Sequence, residues 1–194
     1  MCIRDRYGDG SFRPGQEITL NECAAILTRC AGYADYLKLE EVPVLIAANR
    51  AGLLDGVGTR EDEKVTRSDA AKMIYNLLFM DCMTVNEIKD QDMIYRKDRS
   101  FIQAVMGFDY MDGVIDGIGG ISLFEESLKK DAVSINNQSY HTRRNYTEAY
   151  LGYHARVIFT REDKEVIAVV PTNKNAVLKI EADMIEDYTG NTYQ

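Results

Sequence analysis

The sequence predicts an α+β protein, with amphipathic helices in its first half and a small antiparallel β-rich domain, an open sheet or partial barrel, in its second. Three observations carry this expectation. The same helix-start device occurs twice, at Ile18-Thr19-Leu20-Asn21-Glu22 and at Val65-Thr66-Arg67-Ser68-Asp69, each with a carboxylate three residues after a Thr. Apolar residues keep a helical period up to Asp81 and lose it afterwards. Beyond that point, Gly- and Asn-bearing turns separate short β-branched runs.

In each helix-start device the Thr oxygen can accept from an unpaired amide of the first turn, while the acid reaches back to the cap. From Thr19, the residues Cys23, Ile26, Leu27 and Cys30 follow the i, i+3, i+4, i+7 pattern of one buried face, and Gly32 stands where the helix would stop. Both cysteines are therefore expected as buried thiols. Seven helical residues span about 10 Å, too far for a disulfide between them. A second helix is expected from Glu41 or Pro43 to Gly52, burying Val42, Leu45, Ile46 and Asn49 or its neighbours. A third starts at Thr66 and buries Ala70, Met73, Ile74, Leu77 and Leu78. Turn-rich loops at 8–15 and 55–62 precede the two capped helices.

In the second half, Ser100 is read as the cap of a short helix burying Phe101, Ile102, Val105 and Met106, with a strand as the other reading. Gly113–Ile121 is too rich in glycine for a helix and reads as strand and turn. Asn136-Asn137 marks one hairpin, and the runs 155–160 and 165–170 around Arg161-Glu162-Asp163-Lys164 mark another. Asn173-Lys174-Asn175 then turns the chain into 176–180.

The 194 residues are 45% hydrophobic and 28% charged, an ordinary globular composition. A net charge of −8 argues against nucleic acid as a partner, since phosphate binding needs a basic face. No apolar run approaches the roughly 20 residues of a membrane-spanning helix. Met1-Cys2-Ile3-Arg4-Asp5-Arg6 resembles the translation of a transposon end used to prepare sequencing libraries. The protein's own sequence is then expected to begin near Tyr7.

Tyr7-Gly8-Asp9-Gly10-Ser11-Phe12-Arg13-Pro14, followed by Ile18-Thr19 and Glu22, resembles the second half of an S-layer homology repeat. Ala47-Ala48-Asn49-Arg50-Ala51-Gly52-Leu53-Leu54-Asp55-Gly56, followed by Val65-Thr66-Arg67-Ser68-Asp69-Ala70-Ala71, resembles a nearly complete following repeat. Such repeats are bacterial surface modules that hold exported proteins to cell-wall polysaccharide. The resemblance implies helical repeats of this type over 7–82, the first one truncated, and a separate β-rich domain over 83–194. It also implies a non-catalytic cell-surface protein of the cell envelope, bound to secondary cell-wall polysaccharide or a peptidoglycan-linked glycan. The family's glycan-binding Arg corresponds to Arg67. Thr66, Asp69, Thr19, Glu22 and Arg13 are the other positions carried over. A guanidinium fork suits a carboxylate-bearing sugar. The first copy departs from the pattern with Leu20 in the Arg position, the second has Glu61-Asp62-Glu63 in its loop, and the chain has no Trp.

No catalytic residue, cofactor or metal site is expected: no nucleophile elbow, phosphate loop or zinc spacing occurs. His141 and His154 read as sheet residues. Asp109, Asp112 and Asp116 form the densest acidic group, with calcium as one reading and a solvated turn as the other. Tyr140, Tyr146, Tyr150 and Tyr153 read either as a sugar-binding face or as sheet packing. Two other functions stand beside the anchor. The chain is the anchoring end of an exported polysaccharide- or wall-degrading enzyme whose catalytic domain lies outside it, or its β half assembles with other surface subunits.

Overall fold

The computed structural model describes residues 15–89, 92–124, 128–144, 146, 148–175, 178–181, 184–187 and 192–193. The chain divides into two units, Met1–Met106 and Gly107–Gln194. The first contains helices α1 (Leu20–Cys30), α2 (Ala34–Leu39), α3 (Val44–Arg50) and α4 (Arg67–Phe79), then strands β1 (Asp81–Lys89) and β2 (Asp92–Ser100), then α5 (Phe101–Ala104).

Local chemistry sets the helix ends. α1 starts at Thr19 and α4 at Thr66, both in extended backbone with the Thr hydroxyl accepting from an amide of the first turn. Gly32 and Gly52, at φ +84° and +78°, terminate α1 and α3. Pro43 precedes α3 as its N-cap.

The buried face of α1 is rotated from the expected one. Leu20, Cys23, Ala24 and Thr28 are buried, whereas Ile26 is 40% exposed and Cys30 lies at the surface. Small side chains explain this. Ala24 on α1 and Ala48 on α3 are fully enclosed, so backbones approach closely and the larger Ile26 is left on the flank. Thr28 is tolerated in the core because its hydroxyl donates to the Ala24 carbonyl at 2.8 Å. Leu53, Met73 and Leu77 complete this core. In α3 the buried residues are Ala47 and Ala48, with Ile46 exposed, and in α4 Ile74 is exposed.

The expected architecture of helical repeats followed by a β domain is overturned. The described helices are short, from 4 to 13 residues, and α4 runs almost directly into a two-stranded antiparallel hairpin that belongs to the first unit. The hairpin is stitched to the helices. The Met83 amide donates to the Ala31 carbonyl at 2.8 Å, and the Phe101 amide to the Met80 carbonyl at 2.9 Å. Met83 and Phe101 also pack on the helical core. The helices alone leave an apolar face that this hairpin helps to cover, so helix and strand form one mixed unit.

The second unit holds β3 (Phe108–Ile118), β4 (Ile121–Ser122), β5 (Ala132–Ile135), β6 (Gln138–His141), a 3-10 turn at Glu148–Tyr150, β7 (His154–Thr160) and β8 (Val166–Pro171). They form one six-stranded antiparallel sheet in the order β6-β5-β3-β7-β8, with β4 on β3. Although β6 and β8 are the outer strands, His141 bridges Glu165. The sheet therefore curls until its edges meet at one end. Ile115, Val133, Ile135, Val157 and Phe159 fill its core. A separate three-stranded sheet comprises β9 (Leu178–Glu181), β10 (Met184–Asp187) and β11 (Thr192–Tyr193). The hairpin at Asn136-Asn137 has both residues at positive φ, 50° and 60°, as a two-residue turn of this kind requires. Ile102 is buried in α5, but Val105 and Met106 follow the helix exposed to solvent.

Candidate functional sites

The two capped helix starts lie alongside one another. The Leu20 amide donates to the Glu63 carbonyl at 3.2 Å, and the Val65 amide to the Ile18 carbonyl at 2.9 Å, so Thr19 and Lys64 form an antiparallel bridge. An exposed ion pair of 3.5 Å between Lys64 and Glu17 flanks it.

The two devices differ in how they use their acid. At α1 the box is complete: the Glu22 amide donates to Thr19 Oγ1 at 3.3 Å, and Glu22 Oε2 accepts from the Thr19 amide at 2.8 Å. At α4 the Asp69 amide donates to Thr66 Oγ1 at 3.1 Å, but the Asp69 carboxylate turns away from the cap. It accepts from the Thr59 hydroxyl at 2.6 Å and from Lys72 Nζ at 2.9 Å. Its side chain is only 9% exposed, and it pins the 55–62 loop to α4. The Thr59 hydroxyl and the Lys72 ammonium hold this carboxyl well below the ordinary carboxylate range.

A depressed native pKa contributes stability above the unfolded value of about 3.9, and that contribution is lost as pH falls through the native value. Thermal unfolding of the wild type is therefore expected to fall steeply between about pH 5 and pH 2, and Asp69→Asn is expected to flatten that fall. Parallel profiles for the two proteins would contradict this role.

Of the residues carried over from the resemblance, Thr19, Glu22, Thr66 and Asp69 are thus engaged in helix starts and loop anchoring. Arg67 is the first residue of α4, is exposed, and has no hydrogen-bond or ion-pair partner among the described residues. Arg13 and the 8–14 part of the first loop lie outside the described residues.

A second feature of this unit was not expected from the sequence. Tyr33, Tyr36, Val42, Arg50, Met83 and Lys97 line a groove of about 190 Å³. Its aromatic wall is ordered by edge-on ring contacts, Tyr33 to Tyr36 at 6.1 Å and Tyr36 to Tyr95 at 5.9 Å. Tyr33 is 3% exposed and donates to the Asp81 carbonyl at 3.2 Å. Burial, with the nearby Asp81 charge adding to it, pushes its phenol up to about 12. Arg50 and Lys97 are exposed and have no ion-pair partner among the described residues. The i, i+3 spacing of Tyr33 and Tyr36 is a signal in the sequence, but Lys97 comes from a hairpin that the sequence assigns to the other half.

In the second unit the acidic group is not a shared site. Asp109 pairs with Arg161 at 3.3 Å, Asp112 grips Arg156 through two bonds of 2.6 and 2.7 Å, and Asp116 accepts from the Asn137 amide at 2.6 Å. Asp112 and Arg156 are register partners on β3 and β7, and the guanidinium also lies over the Tyr110 ring. This pairing holds the Asp112 carboxyl below its ordinary range. The rings of Tyr140, Tyr146 and Tyr150 pack on the sheet core, as the packing reading expects. His154 Nδ1 lies 2.8 Å from the Thr172 hydroxyl, and His141 Nδ1 lies 3.1 Å from Asp131.

Among the described residues, no group of three or more His, Cys, Asp or Glu side chains converges, and no helix is long and apolar enough to cross a membrane. Comparison with known protein families, with curated proteins and with solved structures returned no match.

Proposed function

We propose that the first unit is a non-catalytic module that holds a surface protein of the bacterial cell envelope to acidic wall polysaccharide. The observation that carries this reading is the tyrosine-walled groove with Arg50 and Lys97 at its margin and no carboxylate among its lining residues. A sugar ring offers an apolar face to the half-buried Tyr36 ring, which the buried Tyr33 supports edge-on, and a uronate or pyruvate carboxylate offers two oxygens to a guanidinium. The resemblance of the segment from residue 7 to about 80 to S-layer homology repeats points to the same ligand class and adds Arg67 as a further cationic contact. With a net charge of −8, long-range attraction to an acidic polymer is unfavourable, so recognition rests on these local cations and weakens with salt.

The test is co-sedimentation with wall sacculi that retain their polysaccharide, against sacculi chemically stripped of it. The full chain is expected in the pellet only with the former. Arg50→Ala and Lys97→Ala are each expected to weaken retention about tenfold, the scale of one charged hydrogen bond. Arg67→Ala measured alongside decides whether the helix-start Arg contributes. Equal retention on both kinds of sacculi, or none on either, would end the reading.

A further inference from the structure

We propose that the second unit binds a small oxyanion, a carboxylate or phosphate group, in a cavity framed by Lys130, Arg144 and Tyr146. This inference is independent of the wall-anchoring reading. The cavity measures about 250 Å³ and is walled on its apolar side by Ile118, Ala132 and Val133. Its defining feature is the Tyr146 hydroxyl, which is shielded from solvent, lies beside the Arg144 side chain and has no acceptor for its proton among the described residues. Buried polar groups are nearly always paired, and leaving one unpaired is costly. A phenol whose proton has no acceptor among the described residues, at a cavity that also carries two cations, calls for a ligand that accepts.

The surrounding contacts sharpen the assignment. Neighbouring charged groups are satisfied within the protein: Arg143 pairs with Glu165 at 3.4 Å, and Asp131 with His141 at 3.1 Å. Lys130 and Arg144 have no carboxylate partner among the described residues. The position of Arg144 is set by a tight turn. Its amide donates to Thr142 Oγ1 at 3.0 Å, that hydroxyl donates to the Arg144 carbonyl at 3.2 Å, and the Thr142 amide is tied to the Asp131 carbonyl at 2.7 Å. Lys130 is held from the other side by the Gly119-Gly120 turn. A Cβ at Gly120 would stand 3.3 Å from Lys130 Cγ, so the turn packs directly on that side chain. Burial pushes the Tyr146 phenol up, with Arg144 acting in the opposite direction, so the hydroxyl keeps its proton and remains a donor.

Three donors, one of them planar and one a point charge, match the oxygens of a carboxylate or phosphate. The volume is below the roughly 300 Å³ at which pockets for drug-sized ligands begin, which limits the occupant to a small anion or the charged end of a larger one.

The experiment is calorimetric titration of the full chain with inorganic phosphate and, separately, with glucuronate, each against sodium chloride at matched ionic strength. Saturable one-site binding to at least one of them is expected, and which one binds distinguishes a phosphate source from an acidic-sugar source. Lys130→Ala and Arg144→Ala are each expected to weaken binding about tenfold or more. Arg143→Ala, outside the cavity, is expected to leave it unchanged. Tyr146→Phe is expected to weaken binding while leaving the Tm of the free protein equal or raised, because it removes a buried hydroxyl whose proton has no acceptor among the described residues. A response no larger than that to chloride would overturn the proposal. So would an equal loss in Arg143→Ala, or a lowered Tm with unaltered binding in Tyr146→Phe.

Discussion

Gly32→Ala is expected to destabilise the first unit by about 3 kcal/mol, the sum of an αL penalty, a displaced strand and a disturbed hydrogen bond. Gly32 follows α1 at φ +84°, a conformation in which any Cβ costs about 1–2 kcal/mol. The larger cost comes from β1. A Cβ here would run into the Met83 carbonyl, which is backbone and cannot rotate away. Moving it strains the bond from the Met83 amide to the Ala31 carbonyl and shifts Met83 on the core.

Gly56→Ala supplies the comparison. Gly56 has a similar φ of +71° but nothing within 4 Å of its would-be Cβ, so its loss is expected near 1 kcal/mol, the conformational part alone. Chemical denaturation of both variants in one assay reads the difference, and any transition belonging to the other unit cancels in the comparison. Equal losses would mean that α1 and β1 do not meet as closely as described.

Asp116→Ala is expected to cost the second unit about 2 kcal/mol, within the range for a hydrogen bond to a charged group. Asp116 is 3% exposed on β3, and its carboxylate receives the Asn137 amide at 2.6 Å. That bond fastens the β5–β6 turn, whose two Asn residues already sit at positive φ. Removing the acceptor frees the turn and leaves a small void beneath it. Asp116→Asn keeps the shape and an acceptor, so its loss is expected to be about half as large.

Asp112→Ala provides the ranking. Although its ion pair with Arg156 has two short bonds, the Asp112 side chain is 35% exposed, and solvent competes for both partners. A loss of about 1 kcal/mol or less is expected there. Thermal or urea unfolding of the three variants checks the order. If Asp112→Ala were the most damaging, the surface pair rather than the turn would organise this end of the sheet.

The features legible from the sequence are those in which a residue acts on neighbours within about four positions. Thr19 and Thr66 start helices because a hydroxyl reaches an amide three residues on. Asn136 and Asn137 make a turn because they tolerate positive φ. Arg161-Glu162-Asp163-Lys164 joins β7 and β8 as expected, since so short a connection between β-branched runs leaves them side by side and antiparallel.

The rest depended on partners far along the chain. The run after Asp81 carried no mark showing that it would pack on helices instead of opening a new domain. Long-range contacts such as the bond between Met83 and Ala31 and the ring contact between Tyr36 and Tyr95 make that assignment. Ile26 and Cys30 fitted a helical stripe as well as Leu20 and Thr28 did. The choice of face fell to the close approach that Ala24 and Ala48 permit. The three aspartates looked alike in one dimension because each finds its partner between 21 and 52 residues away.

By itself, then, the sequence determined the starts of α1 and α4 and the Asn136-Asn137 turn, because caps and turn residues act through bonds that close within a few residues, whereas α2 carried no such mark. The tertiary structure alone decided that helices and hairpin form one unit, which acids are spent on structure, and that cations gather at the Tyr33–Tyr36 groove and the Tyr146 cavity. Burial and charge pairing depend on which distant side chains meet, and no local spacing encodes that.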